Sequence, residues 1–477
     1  MIKNNSKFNV VIIGSGFSGL TAADMCAGHN LSILLMDENI HLGGQLLRKI
    51  PDNLGEPPDQ KNDPIKKTGF SFIEKVKEKQ ITLMNKTVLL GVYEDNTLLC
   101  EYDRKKTLSI KYDVLLFATG ARERFLPFKG WTLPGVYSTG MLQVLIKSSG
   151  LLPAQKTLMA GSGLFLYAAA YEYIKNKGKL LGIMELSPFF NKIKFLPQVI
   201  HQYPKFIEGA KYLSKIIRSR VPVKYRRQVI EARGENSLQE VVVGKVDQNG
   251  ELISGSEKTY QTESLVVGFG FVPNIEAPQM AGCRLEYSQE KGGWTVVVND
   301  WMETTVENIL AAGEITGIGG AHKSLNEGKI AAYRILEKFR LEDTDRLAPV
   351  LKKLQKERQH HLSFVKCFNS LYKIKSRTIL GIPDDTIICR CESIDMKSIK
   401  EAIQLGCNSP NGLKMSTRCA MGPCQGRTCA PVIYDLLQVL CQKDPKEIGL
   451  FSVRPPFKPV SIHALNHPYK SESPKGL

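Results

Sequence analysis

The run Val11-Ile-Ile-Gly14-Ser-Gly16-Phe-Ser-Gly19 follows a strand-like apolar stretch and opens a helical pattern, and Asp37 ends the next apolar run 18 residues after Gly19. Each glycine has a task in such a unit. Gly14 makes the turn, Gly16 leaves room for a pyrophosphate, and Gly19 lets helix and strand pack closely. The helix N-terminus adds amide donors and the positive end of its dipole. The chain therefore starts with a βαβ unit shaped for a dinucleotide, with Ser18 inside the fingerprint and Glu38 beside Asp37 counted among its binding residues.

The pattern recurs. Strand-like runs at Asn9–Ile13, Ser32–Met36 and Val114–Ala118 alternate with helical patterns, which predicts a doubly wound α/β domain. Thr157–Ala160 then leads into Gly161-Ser-Gly163 and an Ala-rich helix, with a further strand at Lys179–Glu185. Later runs at Ser264–Phe271 and Ile309–Gly313 read as strands returning to the first domain. The expected organisation is a discontinuous first domain (1–126 and 263–340) and an inserted nucleotide-binding-like domain (127–262). A charged helical linker (341–379), a Cys-rich domain (380–445) and a Pro-rich extended tail (446–477) follow.

The second fingerprint departs from the rule at its third position, where bulky Leu166 stands in place of Gly or Ala. Gly161, Gly163 and Glu185 still suit an adenine nucleotide or NAD(P). Leu166 argues against rapid hydride exchange with a nicotinamide.

Near the C-terminus the chain reads Cys389-Arg-Cys391, a gap of 32 residues, then Cys424-Gln-Gly-Arg-Thr-Cys429. Four thiolates satisfy a [2Fe–2S] cluster, since each iron keeps two positions for bridging sulfides. Zinc competes, because four cysteines would also hold it. The cluster is favoured, since zinc ribbons typically use Cys-x2-4-Cys knuckles and a neighbouring redox cofactor gives a cluster something to exchange electrons with. Cys407 and Cys419 then read as structural, with Cys419, five residues before Cys424, an alternative ligand. Cys26, Cys100 and Cys283 stand alone in sequence and read as small buried hydrophobes, which argues against a dithiol reductase.

Composition narrows the setting. Seven of the eleven cysteines lie between 389 and 441, no export signal precedes the first strand, and no apolar stretch approaches the roughly 18 residues of a membrane span. A soluble cytoplasmic protein is expected, and the net charge of +17 also allows attachment to the inner face of a membrane. The densest basic stretch, Lys192–Arg227, carries ten Lys/Arg against Glu208 alone, interleaved with Phe195, Tyr203, Phe206, Tyr212 and Tyr225. Its apolar residues recur at helical spacing, so a solvated amphipathic helix is expected there rather than a nucleic-acid surface.

Three further segments carry a resemblance. Gly43-Gly44-Gln45-Leu46, Phe117-Ala-Thr119-Gly120-Ala121 and Ile309-Leu-Ala-Ala-Gly313-Glu314 resemble the two-dinucleotide flavoprotein family. That resemblance implies FAD, with the turn at Thr119-Gly120 packed near it and the Gly313-Glu314 pair at its ribityl chain. Glu314 departs from the Asp usual there. The next segment, Gly317 to Lys323, would set a helix start beside the flavin, where His322 reads either as a surface cap or as a catalytic group. No catalytic residue is assigned. The cysteine pattern resembles the bacterioferritin-associated ferredoxin type of [2Fe–2S] domain, with Cys-x4-Cys where that type has Cys-x-x-Cys.

Lys129-Gly-Trp131-Thr-Leu-Pro134-Gly135-Val136, Gly268-Phe-Gly270-Phe-Val-Pro273, Gly292-Gly-Trp294, Met421-Gly-Pro-Cys424-Gln-Gly-Arg427 and Arg454-Pro-Pro456 extend the match over nearly the whole chain. The chain resembles the alpha-type subunits of FAD/[2Fe–2S] amine dehydrogenase complexes. That group holds the A-type subunit of opine oxidase, the B-type subunit of hydrogen cyanide synthase, and the alpha subunits of hydroxyproline and proline dehydrogenase. The resemblance implies an electron-transferring role next to a D-amino-acid-oxidase-type FAD subunit that oxidises the amine, often with a small ferredoxin-like [2Fe–2S] subunit. An autonomous NAD(P)H:acceptor oxidoreductase and a non-enzymatic iron–sulfur scaffold or redox sensor are the alternatives.

Overall fold

The computed structural model describes residues 4–48, 64–154, 156–188 and 203–466. Its first sheet is built on Ser6–Ile13, which pairs in parallel with Ile33–Met36 on one side and Lys106–Phe117 on the other. Thr82–Met84 extends the first side. The strand Lys106–Phe117 is long enough to serve two partners. Its C-terminal half takes Ile309–Ala311 in parallel, and its N-terminal half pairs antiparallel with Thr97–Tyr102, which pairs in turn with Thr87–Tyr93. Val10, Val11 and Ile12 are fully buried and belong to two apolar clusters on opposite faces of the sheet. Burial on both faces is why these strands are continuous apolar runs rather than alternating ones.

The second sheet is wholly parallel, in the order Val223–Tyr225, Lys179–Glu185, Lys156–Gly161, Ser264–Gly268, Val136–Ser138. This corrects one expectation. Ser264–Gly268 does not return to the first sheet; it lies between the strands ending at Gly161 and Ser138. Its pairing is held by close backbone approach, since a Cβ on Gly161 would stand 1.9 Å from the Gly268 oxygen. The crossing back comes later, where Phe271–Pro273 runs antiparallel to Ala121–Glu123.

The helix Thr344–Leu371 folds back on the first body, burying Leu347, Leu351 and Leu354 in its core. The Cys-rich segment has its own core, with Ile388, Met396, Ile399, Leu413, Ile433 and Leu436 closed at one side by Leu126. Asp395 and Ser409 cap its first two helices, Met396–Gln404 and Pro410–Thr417, by accepting from the Ser398 and Gly412 amides.

The tail is not extended throughout. Pro445–Ile448 and Ile462–Asn466 are short helices, and Pro445 is tolerated because it occupies the first turn, where its missing N–H costs nothing. Between them Phe457 donates its amide to the Leu90 carbonyl (3.1 Å) and buries its ring in the first body.

Of the basic stretch, residues 192–202 lie outside the described residues. The helix Tyr203–Arg218 follows, with Ile216 buried and the Tyr212 ring 5.1 Å from that of Tyr171. No helix among the described residues is long and apolar enough to cross a membrane.

Candidate functional site

Register brings the first set of residues together. Ile13 faces both Met36 and Phe117, and Phe117 faces Ala311, so the turns after these four strands leave the sheet side by side. Gly14, Asp37, Thr119-Gly120 and Gly313-Glu314 thus share one edge, the place where open α/β sheets bind ligands.

The glycines differ in what surrounds them. A Cβ on Gly14 (φ +105°) would stand 2.3 Å from the Ala118 oxygen, and one on Gly19 would stand 1.9 Å from the Gly14 oxygen. A Cβ on Gly16 would meet nothing within 4 Å. Gly16 also begins the helix Phe17–Cys26 without a side-chain cap, leaving that helix's first amides open to an acceptor. Gly44 (φ +60°) packs so closely on Gly16 that an added Cβ would lie 3.0 Å from its Cα. This open space lined by amides fits a pyrophosphate. Ser18 is buried and donates its hydroxyl to the Ala312 carbonyl (3.3 Å), locking the fingerprint to the last strand.

Asp37 is almost fully buried. Its Oδ2 accepts from the amide and hydroxyl of Ser15 (2.7 and 2.6 Å), and its Oδ1 from the amide and side chain of Asn39 (2.8 Å each). The carboxylate therefore shapes the fingerprint turn itself, and a ribose would share oxygens already engaged. Glu38 pairs with Lys458 of the tail, and Gln45 is exposed and accepts from Arg48.

On the far side, Thr119 donates to the Asn274 carbonyl (3.0 Å), and the Asn274 side chain donates back to the Thr119 carbonyl (2.9 Å). Glu314 Oε1 accepts from the Gly319 and Gly320 amides (3.0 and 2.7 Å), bracing the turn that leads into the helix Ala321–Lys338. The His322 ring stacks near His361, centroids 6.0 Å apart.

Beneath the Gly313 turn lies a charge cluster that the motifs did not reveal. Fully buried Lys323 donates to the Gly313 carbonyl (2.8 Å), the Thr316 hydroxyl (2.7 Å) and Glu327 (2.9 Å). Glu327 also accepts from the Gly313 amide and from Arg358 (2.8 Å each). Burial pushes the Glu327 carboxyl up, but Lys323 and Arg358 outweigh it and hold it below its ordinary value. The i, i+4 spacing of Lys323 and Glu327 was the available signal.

At the second sheet, Gly161 (φ +138°) and Gly163 (φ +117°) form a similar turn, and Leu166 is buried against Leu142, Ile146 and Val266. Glu185 is fully buried and accepts from the Ser187 amide and hydroxyl (3.1 and 2.8 Å). Three tyrosines crowd it. Burial, and then the negative charge of Glu185, pushes the Tyr167 and Tyr372 hydroxyls well above their ordinary range, and burial and Glu185 both raise Tyr225 as well. The acid that suits a ribose is fully buried, and its charge reaches three tyrosines, one of them just beyond the long helix's far end.

Of the four sequence-predicted cysteines, Cys389 and Cys429 lie together with Cys419, and Cys391 and Cys424 stand outside that group. Cys389, Cys419 and Cys429 are buried, with sulfurs all within 4.8 Å of one another. Cys391 is exposed and Cys424 half-buried, their thiols in hydrogen-bonding contact. Hydrogen bonds from Cys419 and Cys429, joined by the amides of Ala420 and Glu392, lower the Cys389 thiol to about 2, while the contact with Cys389, aided by burial, pushes Cys419 and Cys429 up. Amides aimed at sulfur and clustered thiols fit an iron–sulfur centre. The loop is close-packed here, since a Cβ on Gly422 would stand 2.4 Å from that of Cys391. Cys407 faces Ser416 instead, and burial raises the Cys26 and Cys100 thiols to about 12, as expected of inert core residues.

The two sites are joined. Arg122, two residues after Gly120, donates to the Arg427 carbonyl (3.0 Å) within the Cys424–Cys429 loop and pairs with Glu276 (2.8 Å). Arg124 pairs with Asp435, and Trp131 donates its ring N–H to the Ile387 carbonyl (2.6 Å). A cleft between the bodies is lined by Arg122, Arg124, Tyr287, Trp294 and Tyr434.

Two family models match separate stretches of the chain. The pyridine nucleotide-disulphide oxidoreductase family model matches residues 8–328, more than half of the chain, and the BFD-like [2Fe-2S] binding domain model matches 387–439. The chain is 28% identical over 469 residues to the A-type subunit of opine oxidase from Rhizobium meliloti, covering 96% of this chain and 87% of that one. It is 29% identical over 470 residues to hydrogen cyanide synthase subunit HcnB of Pseudomonas aeruginosa, covering 96% and 98%. The crystal structure of L-proline dehydrogenase from P. horikoshii superposes with a TM-score of 0.69 at 19% identity, over 98% of this chain and 80% of that one, which establishes likeness of fold.

Proposed function

The chain belongs to the pyridine nucleotide-disulphide oxidoreductase family, and on that premise we propose that it is the electron-transferring FAD and [2Fe–2S] subunit of an amino-acid or opine dehydrogenase or oxidase complex. The observation that carries this reading is the direct bond from Arg122, beside the Thr119-Gly120 turn, to the loop that bears Cys424 and Cys429. It sets a dinucleotide cradle and a thiol cradle in one connected body, as electron passage requires. Flavin accepts electrons in pairs and releases them singly, whereas such a cluster carries one.

In this reading Gly14, Gly16 and Gly19 admit the pyrophosphate of FAD, and Asp37 positions the adenosine ribose through the turn it shares with Ser15. Lys323 and Glu327 fix the Gly313-Glu314 turn, and Cys389, Cys391, Cys424 and Cys429 hold the cluster. Amine oxidation itself would fall to a partner flavoprotein of the D-amino-acid-oxidase type, and a small ferredoxin-like protein would be a further partner. Similarity along 96% of the chain to proteins named as subunits of opine oxidase and hydrogen cyanide synthase supports that assignment. The amine, the terminal acceptor and the order of electron flow belong to the assembled complex.

The test is reconstitution under anaerobic conditions with a co-encoded amine-oxidising flavoprotein. On adding an opine, proline or hydroxyproline, the cluster's paramagnetic signal on this chain should grow. No transfer with any of these amines would refute the assignment.

A further inference from the structure

Three buried thiols, Cys389, Cys419 and Cys429, lie within 4.8 Å of one another, and only two of them belong to the predicted quartet. The inference rests on the cluster reading above. Cys419 Sγ lies 3.9 Å from Cys429 Sγ. Two thiolates on one tetrahedral metal, with metal–sulfur bonds of about 2.3 Å, lie about 3.8 Å apart. Cys419 Sγ therefore stands about one ligand spacing from Cys429 Sγ, near enough for a small shift to carry it into the position that Cys429 holds.

The backbone holds Cys419 in this position from both sides. Arg418 (φ +64°) and Ala420 (φ +68°) both take left-handed conformations unusual for residues with a side chain, and they fold the chain sharply around Cys419. Arg418 is tied to Glu392 (3.1 Å), next to Cys391, and the Met421 amide closes the turn on the Arg418 carbonyl (3.1 Å). Cys419 itself is fully buried. A small apolar residue would fill such a place equally well, but it would not put sulfur within 4.8 Å of both Cys389 and Cys429. Cys424 stands outside that buried group, so the half of the cradle formed by Cys391 and Cys424 has no such spare.

We propose that Cys419 is a reserve ligand for the cluster, able to take the coordination position of Cys429 but not that of Cys424. The exchange is a ligand substitution. The iron–sulfur bond to Cys429 breaks and the Cys429 thiolate takes up a proton from solvent, while the Cys419 S–H bond breaks, its proton leaves to solvent and its thiolate bonds the same iron; no electrons are transferred.

The test compares four full-length variants prepared anaerobically, read by iron and sulfide content and by the paramagnetic spectrum of the reduced protein, with retained flavin as the check on folding. Cys419→Ala should keep about two irons per chain with the wild-type spectrum. Cys429→Ala should keep at least half of that iron with a shifted spectrum. Cys419→Ala/Cys429→Ala and Cys424→Ser should each fall to a tenth or less. Iron loss in Cys429→Ala as complete as in the double variant, with wild type still loaded, would overturn the proposal alone. Iron loss in Cys419→Ala would overturn it too, by making Cys419 an obligate ligand. Zinc without iron in wild type would overturn the cluster reading and this proposal together.

Discussion

Arg122 donates its Nε to the carbonyl oxygen of Arg427 at 3.0 Å, across 305 residues of chain. Its other nitrogens bond Asn274 Oδ1 (2.9 Å) and Glu276 (2.8 Å), so one planar fork clamps the crossing strand and the cysteine loop together. Lysine carries the charge but lacks the fork. Arg122→Lys should keep flavin and iron contents, destabilise the chain by about 1–3 kcal/mol through the unmade hydrogen bonds, and slow cluster reduction after flavin reduction at least tenfold. Rapid-freeze spectra of the reconstituted complex measure that delay; an unchanged rate would show that the contact is not needed for transfer.

Gly16→Val and Gly19→Val should part company. A Cβ at Gly16 meets no protein atom within 4 Å, so that variant should fold yet lose FAD. At Gly19 the added carbon would sit 1.9 Å from the Gly14 oxygen, so that variant should lose stability together with flavin. Flavin fluorescence after denaturation, with circular dichroism as the fold readout, separates the two. Full flavin in Gly16→Val would place the dinucleotide elsewhere.

Nicotinamides should reduce this flavin slowly or not at all, because Glu185 is fully buried and engaged by Ser187, with Tyr167, Tyr225 and Tyr372 within reach of its charge, and Leu166 fills the helix approach. In anaerobic stopped-flow on the isolated chain, reduction by NADH at ordinary turnover rates, on the order of 10 per second, would favour an autonomous reductase. If enclosure is the cause, Tyr372→Ala should raise nucleotide affinity.

Glu327 gives a pH signature. Its carboxyl is lowered in the fold because Lys323 and Arg358 outweigh the burial that opposes them. A lowered carboxyl stabilises above its unfolded value, about 4.3, and loses that contribution as pH falls through the folded value. Glu327→Gln should therefore cost about 3–5 kcal/mol at neutral pH, leaving Lys323 buried without its counter-ion, and should speed flavin release from the Gly313 turn. Denaturation curves at pH 7 and below pH 4 test the sign: the gap between wild type and variant should shrink in acid. A constant gap would mean that Glu327 acts by packing alone.

Whatever depends on short-range spacing was legible in the chain before any fold was known. The glycine fingerprint, Asp37 ending its strand, the second turn at Gly161 and the two cysteine pairs are patterns within a few residues, imposed by helix and strand geometry. The tail's prolines were visible too, yet beyond Pro459 the chain turns into the helix Ile462–Asn466, because proline restricts only its immediate neighbourhood.

Which strand joined which sheet, and which side chains met, came from long-range packing. Ser264–Gly268 is as apolar as a first-sheet strand, and only its register against Gly161 assigned it to the second. Cys419 had only its spacing from Cys424 to mark it as an alternative ligand, and Arg122 on Arg427 had no local signature to find. Each contact is fixed by how two separately folded surfaces pack, and packing is a property of the whole chain, not of any window of its sequence.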